Sequence, residues 1–423
     1  MKSKRITFSL LLLLSLVVSA GALAQSSQGY GNTAGGTAGT SRLEDLRAKG
    51  SEALFNLDYE NARQIFNEMA RLFPADPTGP QMLATTLWLE TLNKSRLLQA
   101  SIYSSSMFYT KTEEQPDGRV ARDFRDLTRQ ATQLAKARLQ QDPRDPQTLY
   151  LLGATETLKA AFAATVEKRS IAALRAGSSG VDKHRQALKL DPNFHDAELT
   201  IGVYDYVVGT LPLPVKLLAS IAGARGSQKR GLETLERVAK EGHWTRDDAR
   251  VLLIGLYKRE KRFPEALVVS RELQEKYPRN YFFTLETADA LISQSLVERL
   301  ASRTKEAAAA QSEALRTFDV LLHERLAPAV PSPALDLIHF RYGEALLLLG
   351  QPDRAAEQFL AVVNSAEPGL VTRARLRAAQ ALDLAGKRNA ALAEYRIVLS
   401  RPNIYDSLEQ ARRGLHEPYR QVK

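Results

Sequence analysis

The chain has 423 residues, 44% hydrophobic and 25% charged, with a formal net charge of +10 and no cysteine. That composition excludes a disordered chain, and the missing thiols exclude disulfides, thiolate metal sites, a cysteine nucleophile and a lipobox anchor. Basic residues are interleaved with acidic ones and no dense basic block or aromatic-basic stripe occurs, so no nucleic-acid partner is expected.

Lys2, Lys4 and Arg5 precede an apolar run from Ile6 to Val18, and Ala22-Leu23-Ala24 supplies small residues for a signal peptidase. Residues 1–24 therefore read as a signal peptide with Gln25 as the new N-terminus. The rival reading, a membrane anchor, needs an apolar run of about 20 residues. A Leu-rich leader of this length points to export into a bacterial periplasm, with an extracellular location as the alternative. Residues 25–41 are mostly Ser, Gly, Thr and Ala and are expected to form a flexible tether.

From residue 42 to 423 long segments rich in Ala, Leu, Arg and Glu alternate with short breaks. Breaks fall at Asp76-Pro77, Asp142-Pro143, Asp191-Pro192, Tyr277-Pro278 and Leu349-Gly350-Gln351-Pro352, and alternating β-branched runs are nearly absent. The pattern predicts an all-α chain. A proline is followed ten residues later by a small residue four times: Pro74 and Ala84, Pro143 and Gly153, Pro192 and Gly202, Pro278 and Ala288. Gly50, Ala62 and Phe66 are separated by 12 and 4, a spacing repeated by Gly343, Ala355 and Phe359 and by Ala379, Ala391 and Tyr395. Two antiparallel helices that approach to about 8–10 Å need small residues where they cross. The aromatic then fills the space beside the crossing, and proline stops the second helix.

These offsets resemble the tetratricopeptide repeat (TPR) family. The resemblance implies a TPR-like α-solenoid of antiparallel helix hairpins, and covers 42–92 and 243–400 best. In the irregular middle, 79–242, the spacing between prolines exceeds the usual repeat, and elongated first helices are expected over 79–109 and 145–176. Glu113 to Gly118 and Gly177 to Gly180 would be the turns that follow them. The stretch from Gly223 to Gly231 lacks a phosphate-loop order and reads as the lead into a helix over 228–240. A polar amphipathic helix over 404–421 should cap the last repeat.

Six histidines (184, 195, 243, 323, 339 and 416) show no metal-binding spacing, and neither GxSxG nor HExxH occurs. No catalytic residue, cofactor or metal is expected. Carrying the family's groove positions across implies a protein- or peptide-binding surface at Tyr150, Thr157, Tyr206, Lys258, Arg259, Glu344 and Gln380. The expected function is a non-catalytic exported scaffold of the cell envelope. One alternative is a peripheral membrane-associated assembly factor that uses the apolar insert 211–224, although burial of that stripe over the long helices is the favoured reading. The other is an enzyme, signalled by converging Glu, His or Arg in a deep pocket within 79–226.

Overall fold

The structure, a computed structural model, describes residues 36–98, 117–211, 213, 216–217, 225–323 and 334–420. The expected signal peptide, the expected tether up to residue 35, the turn expected from Glu113 and most of the 211–224 insert lie outside the described residues. The described chain forms seventeen α-helices and a short 3-10 turn at His195–Ala197. It divides into two compact units, Met1–Leu92 with Pro116–Leu256, and Asn93–Gln115 with Tyr257–Lys423.

Unit 1 holds α1 (Gly36–Phe55), α2 (Tyr59–Leu72), α3 (Thr78–Lys94), α4 (Gly118–Gln141), α5 (Pro146–Thr165), α6 (Ser170–Leu190), α7 (Glu198–Gly209), α8 (Gln228–Glu241) and the start of α9 (Arg246–Arg259). Unit 2 holds α10 (Phe263–Lys276), α11 (Tyr281–Leu300), α12 (Thr304–His323), α13 (Leu335–Leu348), α14 (Pro352–Leu360), α15 (Pro368–Leu384), α16 (Arg388–Leu399) and α17 (Ser407–His416).

One turn recurs between the two helices of a hairpin. Leu57, Lys261, Ser302, Gly350 and Gly386 each adopt a left-handed φ of 60–74°. The next backbone N–H then bonds back five residues: Asp58 to Ala53, Arg262 to Tyr257, Arg303 to Glu298, Gln351 to Leu346 and Lys387 to Leu382, at 2.8–2.9 Å. This is the Schellman closure, which satisfies the last carbonyls of the first helix and reverses the chain. Lys168, φ 57°, makes the corresponding bend between α5 and α6. Four connections from one hairpin to the next use the expected proline breaks at 76–77, 142–143, 191–192 and 277–278, whereas the break at 349–352 is a turn within a hairpin. Asp145 and Asn280 cap the helices that follow through Gln147 N and Phe282 N.

Small residues sit where the helices nearly touch. Ala84, Gly153, Gly202 and Ala288, the four ten-residue steps, are all buried. An added Cβ at Gly50 would lie 2.3 Å from the Phe66 ring, and one at Gly343 would lie 2.7 Å from Phe359. Each aromatic therefore covers the glycine of its own hairpin. Burying such a ring contributes about 2–3 kcal/mol. Tyr395 is covered in the same way by Gly414 of the capping helix α17, which packs on α15 and α16.

Three expectations are corrected. The stretch Gly177–Gly180 is not a turn but lies inside α6. A Cβ at Gly180 would be 2.4 Å from Thr157 Oγ1, so this glycine lets α6 press on α5. The elongated helices are accordingly shorter: α5 ends at Thr165, and α3 at Lys94. The tether gives way to helix at Gly36. Leu46, Ala53 and Leu54 anchor α1 in a core with Phe66 and Met69, and helix propagation from that anchor recruits the weak formers before it.

Candidate functional site

The expected groove residues separate by unit. In unit 1, Tyr150, Thr157 and Tyr206 are interior side chains, exposed by 5, 0 and 0%. Thr157 donates to the Gly153 carbonyl at 3.0 Å and abuts Gly180, so it is a packing residue. Tyr206 lies under α8, where its backbone nitrogen would be 2.4 Å from a Cβ at Gly231. Tyr150 belongs to an aromatic cluster with His184, Phe194 and Trp244, at centroid distances of 5.1–5.4 Å. None of the three offers a surface to a partner. The α5–α6 and α7–α8 crossings are glycine-lined and close over them.

The Tyr150 cluster is the polar core of unit 1. Arg47 of α1 lays its guanidinium 3.9 Å from the Trp244 ring centroid, and Glu44 accepts from Trp244 Nε1 at 2.9 Å. Asp196, on the 3-10 turn, accepts from Trp244 N, Thr245 N and Thr245 Oγ1 at 2.7–2.9 Å. The joint between α6 and α7 thereby fixes the start of α9. His184 is buried and its Nε2 lies 3.1 Å from the Tyr150 carbonyl. Burial pushes its pKa down to about 4, against the opposing effect of that bond. Burial also raises the Tyr150 phenol well above its ordinary value. These titratable groups converge within 79–226, joined by Arg47, as an enzyme would require. The cavity that they enclose is only about 20 Å³, room for a water-sized molecule and not for an organic substrate.

In unit 2 the expected residues belong to a different arrangement. Lys258, at the end of α9, pairs with Glu286 of α11, and Asp289 of α11 pairs with Arg341 of α13. Glu344 of α13 pairs with Arg377 of α15 through two bonds of 2.5 and 3.0 Å. Gln380 of α15 donates to Gln410 of α17 at 3.4 Å. The register repeats. Glu286, Arg341 and Arg377 each stand two residues before the packing residue Ala288, Gly343 or Ala379, while Asp289, Glu344 and Gln380 each stand one residue after it. Every rung from α11 onward therefore joins the +1 position of one first helix to the next inner-face helix, and both ion pairs land on a −2 position. Such a register requires successive hairpins stacked on the same face with the same phase.

Unit 2 is an array of helix hairpins in one repeating register.

No protein-family model matches the chain, and no curated protein matches it. Solved structures to which it is similar include a human IFIT1 dimer with m7Gppp-AAAA, at 11% identity and a TM-score of 0.44 over 94% of this chain and 82% of that one. A thermophilic TPR protein of Thermus thermophilus, TTC0263, is 16% identical with a TM-score of 0.33 over 60% of this chain and 99% of its own. Yeast Tom70 is 10% identical with a TM-score of 0.37 over 86% of each chain.

The ladder carries graded exposure. Lys258 and Glu286 are 12 and 9% exposed, whereas Arg377 and Glu344 reach 26 and 34%. Burial lowers the proton affinity of Arg341, and Glu286 and Glu344 oppose that effect. Arg373 adds a further cation on α15, the helix of Arg377, 4.5 Å from the Phe340 centroid and 5.6 Å from that of Tyr405. Four cations thus face three carboxylates among these named residues, a small positive excess on an otherwise neutralised face. Gln380 is 4% exposed and acts within the ladder, and Arg259 is exposed beside Lys258. The family's positions led to Lys258, Glu344 and Gln380 but missed Glu286, Asp289, Arg341 and Arg377. Opposite charges at −2 and +1 of successive repeats were the available signal.

Unit 1 also bears an open groove of about 480 Å³ between α4 and the α5–α6 hairpin. Phe124 and Phe162 stack behind it at 3.8 Å, and Arg129, Lys136 and Lys159 edge it. Among the described residues no group of three or more His, Asp or Glu is placed to hold a metal ion, and no helix is long and apolar enough to cross a membrane.

Proposed function

We propose that the chain is a non-catalytic scaffold of the cell envelope, exported by its leader, that docks a protein partner on the ladder face of unit 2. The carrying observation is the register of that face. Charged side chains recur at two fixed positions on consecutive first helices, so a partner meets an ordered row of donors and acceptors that needs no rearrangement. Arg373 and the half-exposed Arg377–Glu344 rung give that row its accessible, cationic part. A photo-crosslinking residue in place of Arg259 or Glu344 should form adducts with a protein in envelope preparations. The same residue in place of Glu272, exposed on the second helix α10, should form none. Adducts from position 272 alone, or from no position, would count against docking on this face.

A second reading, contact with a membrane surface, is favoured by one observation. Leu213 and Leu217 of the insert are 77 and 65% exposed, while Leu211 is buried and Lys216 donates to the Gly209 carbonyl at 3.1 Å. The full chain should then float with anionic liposomes, and Leu217→Asp should reduce the floated fraction several-fold. A wild-type chain that stays at the bottom of the gradient removes this reading.

A further inference from the structure

The polar core of unit 1 encloses a cavity of about 20 Å³ lined by side chains from α1, α3, α5, α6, the 3-10 turn, α7 and the approach to α9. Three of those side chains, Arg47, Gln81 and His184, are 5, 4 and 2% exposed. Each presents a buried polar atom with no hydrogen-bond partner: Arg47 Nε, Gln81 Oε1 and His184 Nδ1. Three orphaned groups from three different helices around one cavity is an arrangement that a folded interior rarely keeps, because each unmade bond costs the desolvation of its group.

The chemistry of the three atoms specifies the occupant. The Tyr150 carbonyl can only accept, so His184 Nε2 carries the ring proton and donates to it. Nδ1 of the same ring is then a lone-pair acceptor. Gln81 Oε1 is an acceptor as well, while Arg47 Nε carries an N–H and can only donate. The occupant must therefore donate twice and accept at least once. A carboxylate, phosphate or halide fails at the two acceptors, and a metal cation or ammonium fails at the guanidinium. The volume holds a single water molecule and admits no organic molecule.

We propose that this cavity is a built site for one ordered water, which accepts from Arg47 Nε and donates to His184 Nδ1 and Gln81 Oε1. Its remaining lone pair can accept from Thr200, which also lines the cavity and carries a hydroxyl donor, whereas the Thr245 hydroxyl is already given to Asp196. The water joins α1, α3 and α6 through a single node. Direct contacts hold the rest of the core: Asp196 secures Trp244 and Thr245, and Trp244 in turn donates to Glu44 and carries Arg47 over its ring. The bound water thus links Gln81, on α3, to a network that otherwise runs through α1, α6 and the start of α9.

A diffraction structure of the full chain at about 1.5 Å would show a spherical peak within hydrogen-bond reach of all three atoms. The site is refuted if the three side chains rotate to bond one another directly, or if the density requires an ion or an elongated molecule. A solution readout covers the case without crystals. Ala154 lines the cavity and is buried, so Ala154→Val should displace the occupant. Water magnetic relaxation dispersion should then report one long-lived buried water fewer than in the wild type, while circular dichroism confirms that the variant is folded. An unchanged count in a folded variant overturns the proposal.

Discussion

Gly231→Ala is expected to destabilise unit 1 by about 3 kcal/mol or more. A Cβ there would lie 2.4 Å from Tyr206 N and 2.6 Å from the Gly202 carbonyl, so the obstacle is backbone and cannot swing away. The partner glycine behaves differently. A Cβ at Gly202 meets Leu235 and Thr234 side-chain atoms at 3.1–3.2 Å, contacts that relax by a few tenths of an ångström. Gly202→Ala should therefore cost under about 1 kcal/mol. Gly350 separates space from conformation. Nothing lies within 4 Å of its missing Cβ, but its φ is +73°, so Gly350→Ala should cost about 1–2 kcal/mol through backbone strain alone. Chemical denaturation of the three variants checks the order. Equal losses at Gly231 and Gly202 would show that α7 and α8 do not approach as described.

Acidification should weaken the fold through His184, with a loss of about 3 kcal/mol between pH 6.5 and pH 4. The folded-state pKa is about 4, below the value of about 6.5 in an unfolded chain. Above pH 6.5 both states hold a neutral ring and the group contributes no pH dependence. As the pH falls below 6.5 the unfolded chain takes up a proton that the folded chain refuses, so stability drops by about 1.4 kcal/mol per pH unit until the folded ring titrates as well. Carboxylates add their own loss toward the bottom of this range, which makes a comparison necessary. Denaturation of the wild type and His184→Gln across pH 7 to 4 isolates the histidine. The variant should lack the slope between pH 6.5 and 5, and parallel slopes in that window would mean that the ring is not buried and neutral.

The parts of this fold that could be read in advance are the parts with local signals. Proline breaks and the 12-and-4 spacing of Gly343, Ala355 and Phe359 are properties of neighbouring turns, and the structure keeps them. Gly177–Gly180 misled because glycine has two uses, and only the packing partner across the helix pair shows which applies. How far adjacent helices close over Tyr150 and Tyr206 depends on glycines in another helix. The polar core had no local signal at all: Arg47, Tyr150, Asp196 and Trp244 are scattered along unit 1 and meet only after hairpins have stacked. The ladder lies between these cases. Its −2 and +1 charges are periodic and visible, but which carboxylate meets which guanidinium follows from stacking one hairpin on the next.

The α13–α14 hairpin, and the ladder rungs that it carries, depend on a first-helix glycine fitting under the aromatic of the same hairpin. A double-mutant cycle between Gly343 and Phe359 measures that fit, since a Cβ at Gly343 would lie 2.7–2.9 Å from three atoms of the ring. Gly343→Ala should cost about 2 kcal/mol in the wild-type background and under about 1 kcal/mol once Phe359→Leu has removed the ring edge. The same cost in both backgrounds would mean that the two residues do not touch, and the stacking register built on that contact would fall with it.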